Sequence, residues 1–224
     1  GDVRQTDIES AGTGADAVTV DTGGSMIDVA ATVESGESDL SATGLIDGLT
    51  VRADDTDIDG TDVLNAAVTV LGTDSGDDAL IDATSGSISN LDVTAEGDAD
   101  SGLADISATA EIDGLTVRAA GADIDGTEVL NGAITVLESG RDVDLDATSG
   151  DIVDVSATSA NTVNYDATGD ISGGSIEAAS ATNIGADGAV STDNVKNLTI
   201  DSDGAVDVDA DTGNISGMDV TTGS

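Results

Sequence analysis

The chain has 224 residues and a net charge of −41, because 46 carboxylates face only five Lys and Arg. It contains no His and no Cys, which excludes histidine bases, thiol nucleophiles, disulfides and the usual zinc sites. Such acidity also argues against direct nucleic-acid binding, since neutralising phosphates requires clustered Lys and Arg.

The same composition predicts a working environment. In dilute salt the self-repulsion of so many carboxylates destabilises a compact state. At molar salt the Debye length falls to about 3 Å, so most of that repulsion is screened. An acidic, nearly lysine-free chain rich in small apolar residues resembles the proteins of extremely halophilic archaea and their viruses. An acidic secreted bacterial repeat protein is the alternative.

Short segments of strict apolar–polar alternation follow one another along the chain, and each predicts a strand with one buried face. Clusters of Gly, Asp, Asn, Ser and Thr separate them and predict turns. No segment forms a convincing amphipathic helix, and no run of about 20 apolar residues predicts a membrane span. The segments are Val18–Val20, Leu49–Val51, Val68–Val70, Leu91–Val93, Val143–Leu145, Leu198–Ile200 and Val206–Val208.

One stretch occurs twice. Residues 44–71 and 110–137 are identical at 20 of 28 positions when the two segments are aligned without a gap. We interpret this as an internal duplication, 39–104 and 105–168, within a single domain that spans residues 1–224. The kernel of the stretch is the hexapeptide Ile112–Val117.

The hexapeptide generalises to the motif Ile-x-x-φ-x-φ, in which φ is apolar. Marking its copies at 8, 27, 46, about 67, 88, 112, about 133, 152, 171, 195 and 215 gives eleven passes of nearly equal length. A period of roughly 20 residues indicates a solenoid. The clearest copies are Ile46–Val51, Ile88–Val93, Ile112–Val117, Val195–Ile200 and Ile215–Val220.

The fold class predicted by this pattern is all-β, a right-handed parallel β-helix of about 11 coils of about 20 residues. The chain resembles the right-handed parallel β-helices of virus fibres, adhesins, pectate-lyase-like enzymes and bactofilin-like filaments. The absence of Pro agrees with this fold, since each coil needs its backbone N–H groups for the adjacent coil. A β-sandwich is the alternative.

The ends of the repeat predict assembly. The motif runs from Ile8 to Val220 without an obvious cap, and bare solenoid ends expose unpaired strand edges. We expect a homo-oligomer or filament, formed by end-to-end stacking or as a trimer. Because residue 1 is Gly rather than Met, we also expect a processed product or a segment of a longer protein.

Few residues are candidates for a chemical site. Asp55, Asp57 and Asp59 lie in a DxDxDG sequence that resembles the start of a calcium loop, although position 12 of that loop would be Ala66 instead of Glu. Arg52 and Arg118 occupy matching places in the duplicated stretch, and we expect them to pair with neighbouring carboxylates. No cofactor is required, and Ca²⁺ or other cations are candidate ligands of the acidic faces.

The sequence therefore predicts a structural protein without enzymatic activity. Its expected role is a rigid acidic β-helical rod in an extracellular appendage, surface assembly or virus fibre, on the cell surface or virion of a halophile. The alternative is an adhesin or receptor-binding module that recognises a surface glycan or protein. A polysaccharide lyase or hydrolase on the same scaffold is the less favoured reading.

Overall fold

The structure is a computed structural model that describes residues 1–11, 17–71, 78–95, 102–138, 140–185 and 192–223. The secondary structure of these residues consists of strands and turns. The strands are β1 (Val3–Ser10), β2 (Val18–Thr22), β3 (Met26–Val33), β4 (Glu37–Ala42), β5 (Ile46–Asp47), β6 (Thr50–Ala53), β7 (Asp55–Gly60), β8 (Val63–Leu64), β9 (Ala67–Val70), β10 (Ala79–Ala83), β11 (Ile88–Ala95), β12 (Leu103–Ala108), β13 (Glu111–Ala119), β14 (Gly121–Gly126), β15 (Glu128–Leu130), β16 (Ala133–Val136), β17 (Val143–Ala147), β18 (Ile152–Val153), β19 (Ser156–Ser159), β20 (Val163–Ala167), β21 (Ile171–Ser172), β22 (Ser175–Ala178), β23 (Thr182–Ile184), β24 (Val195–Lys196), β25 (Thr199–Ser202), β26 (Val206–Val208), β27 (Ile215–Ser216) and β28 (Asp219–Thr222).

The strands form a parallel β-solenoid, which confirms the predicted fold class. Within the described ranges, an 18-stranded sheet A and a 10-stranded sheet B run along the molecule, and each strand pairs in parallel with its equivalent in the next coil. A β-sandwich is wrong for this chain, because sandwiches are built from antiparallel strands. No helix in the described part of the chain is long and apolar enough to cross a membrane.

Each coil contributes one motif to sheet A and then one strand to sheet B. Ten coils carry both, and an eleventh carries only β27 and β28, so the predicted coil number is one too high for complete coils. We number the coils 1 to 11 by the first residue of each motif, which is Val3, Met26, Ile46, Val63, Ile88, Ile112, Val129, Ile152, Ile171, Val195 and Ile215.

The coils are less regular in length than predicted. The step from Ile46 to Val63 is clearly shorter than the step from Val63 to Ile88, although both join paired motif starts. The predicted starts at 8, 27, about 67 and about 133 are wrong. Ile8 pairs with Ala31 at the sixth motif position and Ile27 with Asp47 at the second, while Ala67 pairs with Thr50 and Ala133 with Thr116 at the fifth. The two copies of the duplicated stretch lie three coils apart, and their common origin stays a prediction.

The third motif position turns the chain at a corner of sheet A. In all eleven coils it has a positive φ, between 47° and 74°. Left-handed backbone is costly for most residues and is tolerated best by Gly, Asn and Asp. The residues of this corner column are Gln5, Asp28, Gly48, Asn65, Asn90, Gly114, Asn131, Asp154, Gly173, Asn197 and Gly217.

Side chains of neighbouring corners also contact each other. The Asn90 Nδ2 group donates to Asn65 Oδ1 at 3.1 Å. At Gly48 there is no side chain, and a Cβ built there would lie 2.8 Å from Asp28 Oδ1 in the preceding coil. At these two places the corner holds an Asn that bonds along the column or a glycine that leaves room for the Asp of the preceding coil.

The interior is filled by columns of aliphatic side chains. The first, fourth and sixth motif positions point inward, as do alternate residues of sheet B. In sheet B the central inward column runs through Leu40, Ile58, Ile81, Ile106, Ile124, Leu145, Tyr165 and Ile184, each at most 1% exposed. Each such side chain contributes about 1.5–3 kcal/mol through burial, so these columns supply most of the stabilisation.

Tyr165 is fully buried, whereas the sequence predicts partial burial. Its hydroxyl crosses the interior to lie 3.5 Å from the Val155 carbonyl oxygen at a fourth motif position. The equivalent positions in the coils on either side are Gly132 and Gly174. A Cβ at either glycine would crowd Val155, 3.0 Å from its Cγ1 for Gly132 and against its carbonyl oxygen for Gly174, so the two glycines leave room for the residue that the Tyr165 hydroxyl contacts.

The substitution Gly48→Ala tests the role of the corner column. We expect it to lower the free energy of unfolding by about 1–2 kcal/mol, because alanine at a φ of 70° is strained and its Cβ crowds Asp28. The matched control is Gly23→Ala, where a Cβ meets nothing within 4 Å. Urea unfolding measures both, and equal midpoints for the two variants would contradict the assignment of the corner.

Candidate functional site

The outer face of sheet B carries two columns of carboxylates, which we call the carboxylate face. Residues that alternate with the buried column point outward, and none of them in β2 to β26 is Lys or Arg. Equivalent residues of adjacent coils are about 4.8 Å apart, and the two columns are separated by about 6.6 Å along each strand. The members are Asp39, Asp57, Asp105, Asp123, Asp144 and Asp207 in one column and Asp21, Asp59, Asp82, Asp125, Asp146 and Asp166 in the other.

The parallel stacking raises the pKa of several of these acids. Burial, with the charges of Asp59 and Asp39 next, raises the pKa of Asp57 to about 6. Burial, followed by the charges of Asp125 and Asp105, likewise raises the pKa of Asp123 to about 6. Burial is also the largest cause of the raised pKa of Asp105. In the folded state the face therefore resists full ionisation.

The chain relieves this repulsion at one end of the face by replacing carboxylates with amides. In the column of Asp144, the next two coils carry Asn164 and Asn183. The Asn164 amide donates to Asp144 Oδ1, and the Asn183 amide donates to Asn164 Oδ1 at 2.7 Å. These residues line a shallow depression of about 560 Å³, together with Asp123, Asp146, Asp166 and Asp207.

Other carboxylates hold the turns between coils. Asp62 Oδ1 accepts from the Ser87 backbone N–H at 2.9 Å, and Asp151 Oδ1 accepts from the Asp170 N–H at 2.7 Å. Asp170 in turn accepts from the Asn194 N–H at 3.1 Å and from Lys196 Nζ at 2.5 Å. Hydrogen bonds from Lys196 and Asn194 hold the pKa of Asp170 below its usual range. We assign these acids to the architecture of the turns.

The predicted calcium ligands lie in a strand and not in a loop. Asp55, Asp57 and Asp59 alternate along β7, so neighbouring carboxylates share a face without converging on one point. Asp55 Oδ1 accepts from the backbone N–H groups of Thr56 and Asp78, at 2.9 and 3.1 Å. Among the residues that the structure describes, no group of three acids is arranged to hold a metal ion. Calcium at Asp55, Asp57 and Asp59 stays a prediction.

A second surface has the opposite character. The fifth and seventh motif positions of coils 2 to 8 point outward from sheet A, and most of them are Thr, Ala or Ser. Its only charged members are Arg52, Asp92 and Arg118. We call this surface the threonine face; it consists of Ala30, Thr32, Thr50, Arg52, Ala67, Thr69, Asp92, Thr94, Thr116, Arg118, Ala133, Thr135, Ser156 and Thr158.

The two arginines of this face differ. Arg118 has an interaction within its own chain. Arg52 is exposed and forms no ion pair or hydrogen bond within the described ranges, so the predicted pairing with a carboxylate is wrong for Arg52. Asp92, also exposed, likewise has no such side-chain partner there. The sequence alone does not reveal this face, because its Thr, Ala and Ser residues form no local motif and are brought together only by the coil register.

The raised pKa values predict that folding stability depends on pH at low salt. A carboxyl with a raised pKa in the folded state binds its proton more tightly there than in the unfolded chain. Its stabilising contribution is present below the unfolded pKa of 3.8 and is lost as pH rises through about 6. Urea unfolding at low salt should thus show stability falling between about pH 4 and pH 7. A flat profile would contradict the geometry of the carboxylate face.

Asp57→Asn and Asp123→Asn should each stabilise the chain at neutral pH and low salt. Removing one charge from the column relieves repulsion on the order of 1 kcal/mol, after discounting for solvent screening. Asp92→Asn is the matched control, since the neighbours of Asp92 along its column are Ala67 and Thr116. Molar salt should remove the part of the gain that comes from repulsion and leave the part that comes from burial, and thermal unfolding at both salt levels measures it. Equal effects of all three substitutions would refute this account.

Comparison of the chain with protein-family models, with curated proteins and with solved structures found no match. The case for its function accordingly comes from its own surfaces. Those surfaces are the carboxylate face, the threonine face and the two ends of the solenoid.

Proposed function

We propose that this chain is a structural protein without enzymatic activity, a rigid acidic rod. It serves in an extracellular appendage, surface assembly or virus fibre in a high-salt environment. The observation that carries the proposal is the carboxylate face, which stacks like charges coil upon coil with no Lys or Arg among the outward residues of its described strands. A face of this kind is compatible with a stable fold where salt screens it.

The mechanical part of the proposal rests on the backbone. Every coil from 2 to 9 is bonded to a coil on each side through both sheets. At about 4.8 Å per coil, ten coils give a rod on the order of 50 Å long. The aliphatic columns inside it leave little freedom for bending, because well-packed interiors resist deformation.

The distribution of acids favours a structural role over hydrolysis or lyase chemistry. Acid–base catalysis by a carboxylate pair needs two acids whose environments give them different pKa values. Here such pairs repeat along sheet B, as at Asp57 and Asp59, Asp123 and Asp125, and Asp144 and Asp146, so the strand register does not single out one of them as a site. The sequence also contains two pairs of adjacent acids, Asp54–Asp55 and Asp77–Asp78. Asp54 accepts a hydrogen bond from the Gly36 backbone N–H and Asp78 accepts one from that of Leu103, both at 2.8 Å. Asp77 lies outside the described residues.

The last coil supports assembly. Ile215 and Val220 are 49% and 45% exposed, while Val195 and Ile200 in the same columns are at most 1% exposed. In the described part of the chain, β26 and β28 also present unpaired backbone groups along their outer edges, and such edges invite pairing with another strand. For the 224-residue chain we propose that a second subunit stacked end to end supplies the covering coil.

Electron microscopy in molar salt tests this proposal. The 224-residue chain should form rods whose lengths are multiples of about 50 Å. The variant that combines Ile215→Lys with Val220→Lys should give single rods, because it charges the exposed end. Leu80→Lys, at a residue 42% exposed on the side of the rod, is the control and should still form long rods. Single particles from the unaltered chain at every concentration would sink the polymer.

A further inference from the structure

The threonine face carries little charge for so acidic a chain. Across seven coils its fourteen outward residues include one Asp and two Arg, so its net charge is +1 in a chain of −41. Coil 1 is acidic at the same positions, with Asp7 and Glu9, and coils 9 and 10 add Glu177 and Asp201. The face is consequently a patch bounded at both ends by acids.

Two like-charged rods can approach each other closely only where both carry little charge. Opposing carboxylate faces would bring many Asp residues together, whereas opposing threonine faces bring together small neutral side chains. The threonine face is also free of long side chains other than the two arginines. A second copy of this chain is therefore the occupant that its charge pattern fits.

The unpaired charges make the face self-complementary. Arg52 lies in coil 3 and Asp92 in coil 5, and neither has a side-chain partner in the described part of the chain. We propose that a second copy packs on the threonine face with its solenoid axis antiparallel, related by a two-fold axis at coil 4. Arg52 of each copy then lies over coil 5 of the other, where Asp92 is one outward position away along the strand. A two-fold interface forms this contact twice.

An axis between coils 6 and 7 sets Arg52 against Asp201, and an axis between coils 3 and 4 sets Arg118 against Glu9, so those registers use the acids that bound the face. Among registers that pair the charges of the threonine face with one another, the coil 4 register is electrostatically the most favourable. A two-fold axis at coil 5 places Asp92 against its own copy. An axis between coils 4 and 5 places Arg52 against Arg118. An axis between coils 5 and 6 pairs Arg118 with Asp92, but it sets the acids of coil 1 against Asp201 of coil 10, and Arg118 already has an interaction in its own chain. In the coil 4 register, Asp7 and Glu9 face coil 7, where the outward residues are neutral.

The size of the face indicates a weak interaction. Seven overlapping coils at about 4.8 Å each and a four-residue strand at about 3.3 Å per residue give an area on the order of 450 Å² per copy. Stable complexes bury about 800 Å² per partner. Pairing should hence need concentrated protein. It should also strengthen with salt until the repulsion between the two chains is screened.

This inference goes beyond the proposed rod, because it assigns a contact to the side and not to the ends. The two contacts are independent, since Ile215 and Val220 lie outside the overlapping coils. Side pairing can therefore be tested in the variant that combines Ile215→Lys with Val220→Lys. That double variant removes end-to-end stacking. An absence of long rods and an absence of side-by-side pairing can therefore be told apart.

A charge swap tests the contact. In sedimentation velocity over a series of protein and salt concentrations, Arg52→Asp and Asp92→Arg should each weaken dimerisation by about tenfold at the lowest salt that supports pairing. Combining the two substitutions should restore it to within about threefold. Arg118→Asp is the control from the matching slot three coils away and should have a smaller effect than Arg52→Asp.

A single cysteine tests the register. The chain has no Cys, so an introduced thiol can form a disulfide only with its counterpart in another copy. Ala67 in coil 4 and Ala133 in coil 7 are exposed alanines at the fifth motif position, and they occupy equivalent places in the duplicated stretch. Ala67→Cys lies at the proposed axis and should cross-link under oxidation. Ala133→Cys faces coil 1 and should cross-link much more slowly.

Several results would overturn the inference. They are a double swap that fails to restore pairing, equal cross-linking of the two cysteine variants, and an Arg118→Asp effect as large as that of Arg52→Asp. A chain that stays monomeric in molar salt at high concentration overturns it as well. If that monomer bound an immobilised glycan through the threonine face, the face would belong to an adhesin.

Discussion

Each coil of this solenoid must meet the next in register, because both sheets bond equivalent residues of successive coils in parallel. That constraint explains why the motif tolerates so little variation at its inward positions and at the corner. Coil length still varies, from the short coil that begins at Ile46 to the long one that begins at Val63, and the variation is absorbed between the strands. The corner resets the register in every coil, since Gly48, Asn65 and their equivalents adopt the same left-handed turn.

The same stacking of coils brings like charges close together. In several coils an outward Asp of sheet B is followed by another Asp about 4.8 Å away, as Asp39 is by Asp57 and Asp105 is by Asp123, so the repulsion grows with each added charge. The chain limits that repulsion by placing Asn164 and Asn183 at the end of one column and by committing acids such as Asp62 and Asp151 to turn hydrogen bonds. Burial is the largest cause of the raised pKa values of Asp57 and Asp123, and the charges of neighbouring acids such as Asp59 and Asp125 add to it.

The sequence predicts the coils and their inward-facing columns better than it predicts the carboxylate face and the threonine face. Alternation and the spacing of Ile46, Ile88 and Ile112 are local signals, and they determine the coil. The corner is visible in part, because Gly, Asn or Asp fills the third position in the seven copies whose starts the sequence marks correctly, but the motif Ile-x-x-φ-x-φ leaves that position open. Asp55–Asp59 resembles a calcium loop because spacing alone does not distinguish a loop from a strand with alternate acids. The faces depend on which residues stack, and coils of unequal length hide this from a fixed period.

Salt concentration controls the electrostatic repulsion on every surface of the rod. In dilute solution the net charge opposes folding and association together, so neither the ends nor the threonine face can act. Screening removes the long-range repulsion but leaves short-range contacts, which then decide where two copies meet. At the ends these contacts are unpaired backbone groups and the exposed side chains of Ile215 and Val220. On the side they are small neutral residues with one arginine and one aspartate left unpaired in the described part of the chain, so a concentrated brine would select both contacts and exclude the carboxylate face from either.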